Sequence, residues 1–179
     1  MAEYRFETLI SGDDISKRVK ELGAEISKDY AGQDIHCICV LKGAVQFMTE
    51  LIKYIDNPNL TIDFMAVSSY GNEKESAGIV KIVKDLDEPL TNRNVLIVED
   101  ILDTGCTLDK LTAIFKTRDP KSIKICTMLD KPSRRQKDIY PDYVGFTIDN
   151  VFVLGHGLDY EDYLRNWRDV YKAIPVEEK

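Results

Sequence analysis

Residues 95–108, VLIVEDILDTGCTL, constrain the fold more than any other part of the sequence. Four consecutive apolar residues, Val95 to Val98, make a run short enough for a strand and apolar enough to be buried on both faces. Two carboxylates, Glu99 and Asp100, follow at once. A third, Asp103, opens the turn Thr104-Gly105-Cys106-Thr107, and the spacing predicts a helix over about 107–116. A buried strand that runs through a glycine turn into a helix is the repeating unit of a parallel sheet covered by helices. Such sheets bind ligands beyond the carboxyl ends of their strands. The acids and the turn therefore lie where a ligand would sit.

The rest of the chain repeats this alternation. Ser11 is a candidate cap for a first helix marked by Ile15, Val19, Leu22 and Ile26. Residues 35–41 read as a strand, interrupted by Lys42 and Gly43. Val45, Phe47, Met48, Leu51, Ile52 and Ile55 predict a second helix that ends near Asn57-Pro58. Strands are expected over 60–69, 79–83, 123–128, 143–147 and 151–154, with a polar loop over 70–77 and a short helix over 159–165. The reading is an α/β fold, a mainly parallel twisted sheet flanked by helices, as one domain across 1–179.

Composition narrows the class. No stretch approaches the ~20 apolar residues of a membrane span, and MAEYRFETLI lacks the basic-then-apolar pattern of a secretion signal. A cytoplasmic protein without membrane contact is expected. Cys37 and Cys39 share one strand face and, with Cys106 and Cys126, read as reduced thiols. With only His36 and His156 as histidines, a zinc site is disfavoured. A net charge of −7 argues against non-specific nucleic-acid binding, though not against a small anion held by a local positive site.

The 95–108 segment suits a phosphorylated sugar. Gly105 permits a tight turn and close backbone approach. Successive amides there can form an anion nest at a helix N-terminus, and Thr104 and Thr107 add hydroxyl donors. Glu99 and Asp100 are acceptors suited to vicinal ribose hydroxyls or to a divalent cation beside them.

The segment resembles the phosphoribosyl pyrophosphate signature of type I phosphoribosyltransferases, in the wording of the hypoxanthine-guanine branch. LKGA at 41–44, SSYG at 68–71, LDKPSRR at 129–135, PDYVGF at 141–146 and VLGHGLDYEDYLR at 153–165 resemble that branch in order and spacing. The resemblance implies the type I fold, with a small hood built from the N-terminal and C-terminal segments. It implies phosphoribosyl transfer to a purine, Mg²⁺ as cofactor, and a homodimer or homotetramer. It also implies a mobile lid over about 69–80, touching substrate through Ser69 and Tyr70.

Residue roles follow the same resemblance. Thr104, Gly105, Cys106 and Thr107 would hold the 5′-phosphate, Cys106 through its amide. Glu99 and Asp100 would lie by the ribose hydroxyls and magnesium. Asp103 would stand near purine N7 as general acid/base. Leu41, Lys42 and Gly43 would form the pyrophosphate loop, whose Leu41–Lys42 peptide can be cis in that family, and Arg165 would contact pyrophosphate. Lys131 would read the 6-oxygen; as a donor only, it favours a 6-oxopurine over adenine. Phe152 would stack on the base and Val153 would meet its edge. Asp159 would border the base pocket and reach a second magnesium. His156 stands where the family often carries tyrosine, so it is expected to alter packing or pH dependence rather than catalyse.

Two other readings compete. A xanthine enzyme would also suit Lys131, whereas a pyrimidine enzyme would not suit Lys131 with Phe152. A regulator that senses phosphoribosyl pyrophosphate and binds nucleic acid should show an added domain or a basic surface. Here the dense basic cluster is Lys131, Arg134, Arg135 and Lys137, beside the expected base pocket.

Overall fold

A computed structural model describes residues 4–69 and 80–176. In chain order the elements are β1 (Tyr4–Ile10), α1 (Gly12–Asp29), β2 (Ile35–Leu41), α2 (Val45–Leu51), β3 (Leu60–Ser69) and β4 (Val80–Lys84). They continue with β5 (Asn94–Leu102), α3 (Cys106–Lys116), β6 (Ser122–Asp130), β7 (Tyr143–Thr147), β8 (Val153–Leu154) and β9 (Val170–Pro175). The second helix is shorter than its apolar pattern suggests, because a 3₁₀ turn over Ile52–Tyr54 takes its last residues.

Six strands form the main sheet in the order β4-β3-β2-β5-β6-β7. All neighbours are parallel except β3 and β4, which pair antiparallel at the edge. The alternation of side chains along β2 and β5 divides the core. Cys37, Cys39, Leu96 and Val98 face α1 and α2, whereas Ile38, Val40, Val95 and Ile97 share a second cluster with Leu108, Leu111 and Phe115 of α3. α1 forms because Ser11 accepts the Asp14 N–H at 3.1 Å, Asp13 and Asp14 complement the dipole, and Ile15, Val19, Leu22 and Ile26 repeat at helical spacing. Burying each of those four side chains stabilises the fold by roughly 1.5–3 kcal/mol.

The terminal segments, with β8, make a separate three-stranded sheet, ordered β1-β9-β8. This is the expected hood: β1 pairs with β9 from Tyr4↔Pro175 to Ile10↔Val170. Residue 70 and the rest of the expected lid through 79 lie outside the described residues, and Ser69 ends β3. Among the described residues no helix is long and apolar enough to cross a membrane.

Candidate active site

The chain leaves β2 through α2 toward β3, and leaves β5 through α3 toward β6, on opposite sides of the sheet order. Loops after β2 and β5 therefore part, and a crevice opens at their carboxyl ends. The strand expected to stop near Val98 runs on to Leu102, so Glu99 and Asp100 are the last part of β5 rather than the start of a turn. Asp100 Oδ1 accepts the Ile101 N–H at 2.7 Å. Its carboxylate occupies the space that a Cβ on Gly43 would fill, which makes the approach of the β2 loop dependent on glycine. The Leu41–Lys42 peptide is cis.

The two acids are short of donors. Glu99 Oε2 is buried without a hydrogen-bond partner. Burial, and then the charge of Asp100, push the Glu99 carboxyl well above the usual range. Burial likewise pushes Asp100 to about 6, against the opposing pull of the Ile101 N–H and Arg165. A hard divalent cation is the natural partner for carboxylates so placed. Among the described residues no three His, Cys, Asp or Glu side chains gather to hold a metal alone. The pair would suit such a cation only with further ligands from outside these two side chains.

The turn over Thr104 to Thr107 is built on a left-handed glycine. Gly105 adopts φ 80°, and a Cβ there would sit 2.6 Å from Ile139 Cγ2. The Cys106 N–H donates to Thr104 Oγ1 at 3.4 Å, and the N-cap residue of α3, Gly105, offers no side chain to the first-turn amides. A clamp from the 131–136 segment holds this turn. Lys131 N donates to Leu102 O at 3.0 Å, Arg135 Nη1 to Leu102 O at 3.0 Å, and Gln136 N to Thr104 O at 2.9 Å. Arg135 also bonds Asp103 O and pairs with Asp130. Arg134 Nε meets Asp103 Oδ1 at 3.0 Å. In the sequence these two arginines are visible only as a basic cluster; their work is to fix the backbone and carboxylate of Asp103.

Lys131 is only 6% exposed and its Nζ donates to Val151 O at 2.7 Å. Burial lowers its pKa, and Asp103 opposes that change. Phe152 is 52% exposed and meets Tyr160 edge-on at 6.1 Å, so it is a free aromatic face rather than a core residue. Val153 is buried in β8 opposite Lys172.

The expected helix over 159–165 does not form. Glu161, Asp162 and Leu164 have φ of 53°, 71° and 67°, left-handed values that no right-handed helix admits. The Asp162 N–H instead donates to Asp159 Oδ2 at 2.8 Å, in a turn closed by Tyr160 and Tyr163. Arg165 pairs with Asp159 at 2.8 Å and donates to Gly157 O at 2.8 Å. Gly157, at φ 96°, passes so close to the Gly43 carbonyl that a Cβ would collide with it. Lys42, Arg165 and Asp159 are thus brought together, with Asp162, which the sequence did not single out, 2.9 Å from Lys42 Nζ. His156 is buried at φ 48° and meets Arg168 O through Nδ1 at 3.3 Å. Tyr70 lies outside the described residues.

The phosphoribosyl transferase domain family matches residues 8–161. The hypoxanthine-guanine phosphoribosyltransferase of Bacillus subtilis is 53% identical over 160 residues, 89% of this chain and 88% of its own. The crystal structure of a hypoxanthine phosphoribosyltransferase from Staphylococcus aureus superposes with a TM-score of 0.91 at 47% identity, covering 94% of this chain and 91% of the other. A hypoxanthine-guanine phosphoribosyltransferase from Bacillus anthracis, crystallised with a HEPES molecule in its active site, gives 0.90 at 44% identity, covering 96% and 100%. With its strand-end acids, its glycine turn at a helix start and its terminal hood, the chain belongs to the phosphoribosyltransferase family, on the hypoxanthine-guanine branch.

Proposed function

We propose that the protein is a purine-salvage enzyme that transfers the 5-phosphoribosyl group of phosphoribosyl pyrophosphate to hypoxanthine and guanine, forming IMP or GMP and releasing pyrophosphate. The observation that carries this is the placing of Asp103 and Lys131 beside one another's backbone: an acceptor and a buried donor tied to the 102–104 segment by the 131–136 clamp. Thr104 to Thr107 anchor the 5′-phosphate, and Phe152 offers its exposed face to the purine, with the Val153 backbone at the base edge. As pyrophosphate departs, C1′ becomes positive and the base nitrogen attacks. Asp103 takes the N7 proton, while Lys131 donates to the 6-oxygen and so selects against adenine.

Leu41, Lys42, Gly43 and Arg165 receive the leaving pyrophosphate. Glu99 and Asp100 would hold one magnesium ion and Asp159 would reach a second; bound with the substrate, they would supply positive charge to the leaving oxygens. Ser69 and Tyr70 close over the sugar and exclude water, the competing nucleophile. We read the working form as a cytoplasmic homodimer or homotetramer.

The test is nucleotide formation from phosphoribosyl pyrophosphate and Mg²⁺ with hypoxanthine, guanine, xanthine, adenine and uracil in parallel. Turnover is expected with the first two and not with adenine or uracil. Turnover with adenine at a comparable rate would overturn the assignment of Lys131.

A further inference from the structure

The two cations assigned to pyrophosphate are already engaged. Lys42 Nζ lies 2.9 and 3.1 Å from the two oxygens of Asp162. Arg165 reaches Asp162 Oδ1 from Nη2 at 3.0 Å and from Nε at 3.3 Å. One carboxylate thus accepts from both side chains, as a phosphate group would. Among the described residues that carboxylate has no other side-chain partner, and the two cations hold its pKa below the usual range. Its own backbone N–H serves a different purpose, bonding Asp159 Oδ2 at 2.8 Å.

The backbone around it is sharply bent. Glu161 and Asp162 both lie in the left-handed region, at φ 53° and 71°, a conformation that non-glycine residues adopt only when their surroundings impose it. The contact is also easily broken. Side chains of Lys42 and Asp162 are 67% and 61% exposed, and ion pairs so open to water are weak.

We propose that Asp162 is an internal counter-anion that occupies Lys42 and Arg165 when no pyrophosphate is present, competes with pyrophosphate for both, and thereby sets the affinity for phosphoribosyl pyrophosphate and the ease of pyrophosphate release. This rests on the pyrophosphate role given to Lys42 and Arg165 above. An incoming diphosphate would meet the same donors that Asp162 uses, and two anions cannot share them without repulsion. Asp162 therefore has to yield as the ligand arrives, and it returns as the product leaves. A purely structural role, in which Asp162 holds Arg165 ready for the ligand, has the opposite sign: removing it would weaken binding.

The experiment compares wild type with Asp162→Asn, which keeps the side-chain shape and the backbone bond to Asp159. Magnesium pyrophosphate is titrated calorimetrically into each. The Asn variant is expected to bind it roughly three- to tenfold more tightly, the range that weak exposed ion pairs can supply. Asp162→Glu, which keeps the charge, should stay nearer to wild type than Asn does. Unchanged or weaker binding in Asp162→Asn overturns the inference, as would equal tightening in Asp162→Glu. In the same preparations, KM for phosphoribosyl pyrophosphate should fall with the calorimetric constant while KM for hypoxanthine stays within about twofold. The titration needs no turnover, so a wild type that makes no nucleotide would sink the proposed function without deciding the role of Asp162.

Discussion

Asp100 gives the most quantitative consequence of the site. Burial raises its carboxyl from the ordinary 3.8 to about 6. Each pKa unit is worth about 1.4 kcal/mol, so carrying the ionised group in the fold costs about 3 kcal/mol. The sign follows from a raised folded-state value. Below pH 3.8 both folded and unfolded chains hold the proton and no penalty exists; as pH rises through 6 the folded state loses that relative stability. Asp100→Asn removes the titration while its amide oxygen can still accept the Ile101 N–H, a bond of 2.7 Å in the wild type. The ligand-free variant should therefore be more stable than wild type by about 3 kcal/mol at pH 8 and by under about 1 kcal/mol at pH 4. Urea unfolding at both values reads this directly: with an m-value of roughly 2 kcal/mol/M the midpoint at pH 8 moves up by more than about 1 M. The gain comes at the expense of function, because affinity for magnesium phosphoribosyl pyrophosphate should fall. A variant no more stable than wild type at pH 8, or stabilised equally at both values, would refute the reasoning.

Other expectations follow from individual residues. Asp103→Asn should slow nucleotide formation by roughly 10²–10⁴-fold while phosphoribosyl pyrophosphate binding, followed by calorimetry, survives. Lys131→Met should raise KM for hypoxanthine by roughly ten- to hundredfold, the worth of a charged donor to a carbonyl, and leave KM for phosphoribosyl pyrophosphate nearly unchanged. Gly157→Ala forces a Cβ into the Gly43 carbonyl at φ 96°; it should lower the melting temperature and raise KM for phosphoribosyl pyrophosphate together. Burial lowers the His36 pKa below 6.5, so this residue contributes stability above pH 6.5 that is lost as pH falls toward its folded value. Urea midpoints of wild type should accordingly drop more between pH 6.5 and 5 than those of His36→Gln.

The parts of this structure legible in the sequence are those set by local patterns. The β5–α3 unit could be read because its apolar run, its acids and Gly105 all act within a dozen or so residues. α1 announced itself through Ser11 and four apolar positions on one face. β1 and β9 did not. Of the seven residues of β1 only Ile10 is fully buried, and its partner strand lies at the other end of the chain. Only the resemblance to a family suggested a hood there. Residues 159–165 carry acids at one end and an arginine at the other, as a helix would. Their turn is closed instead by contacts within the loop, Asp162 N–H to Asp159 Oδ2 and Tyr160 against Tyr163, which local spacing does not register. Arg134 and Arg135 were hidden for a similar reason: an arginine that grips a carboxylate or a backbone carbonyl about thirty residues away looks, in sequence, like a solvated charge.

The most direct test of the central claim is the stoichiometry of the reaction with hypoxanthine, phosphoribosyl pyrophosphate and Mg²⁺, following IMP and pyrophosphate in the same sample. Equal amounts of both products, formed together and dependent on hypoxanthine, are the predicted result. Pyrophosphate released without IMP, or neither product formed while phosphoribosyl pyrophosphate still binds, would contradict a phosphoribosyl transfer to a 6-oxopurine.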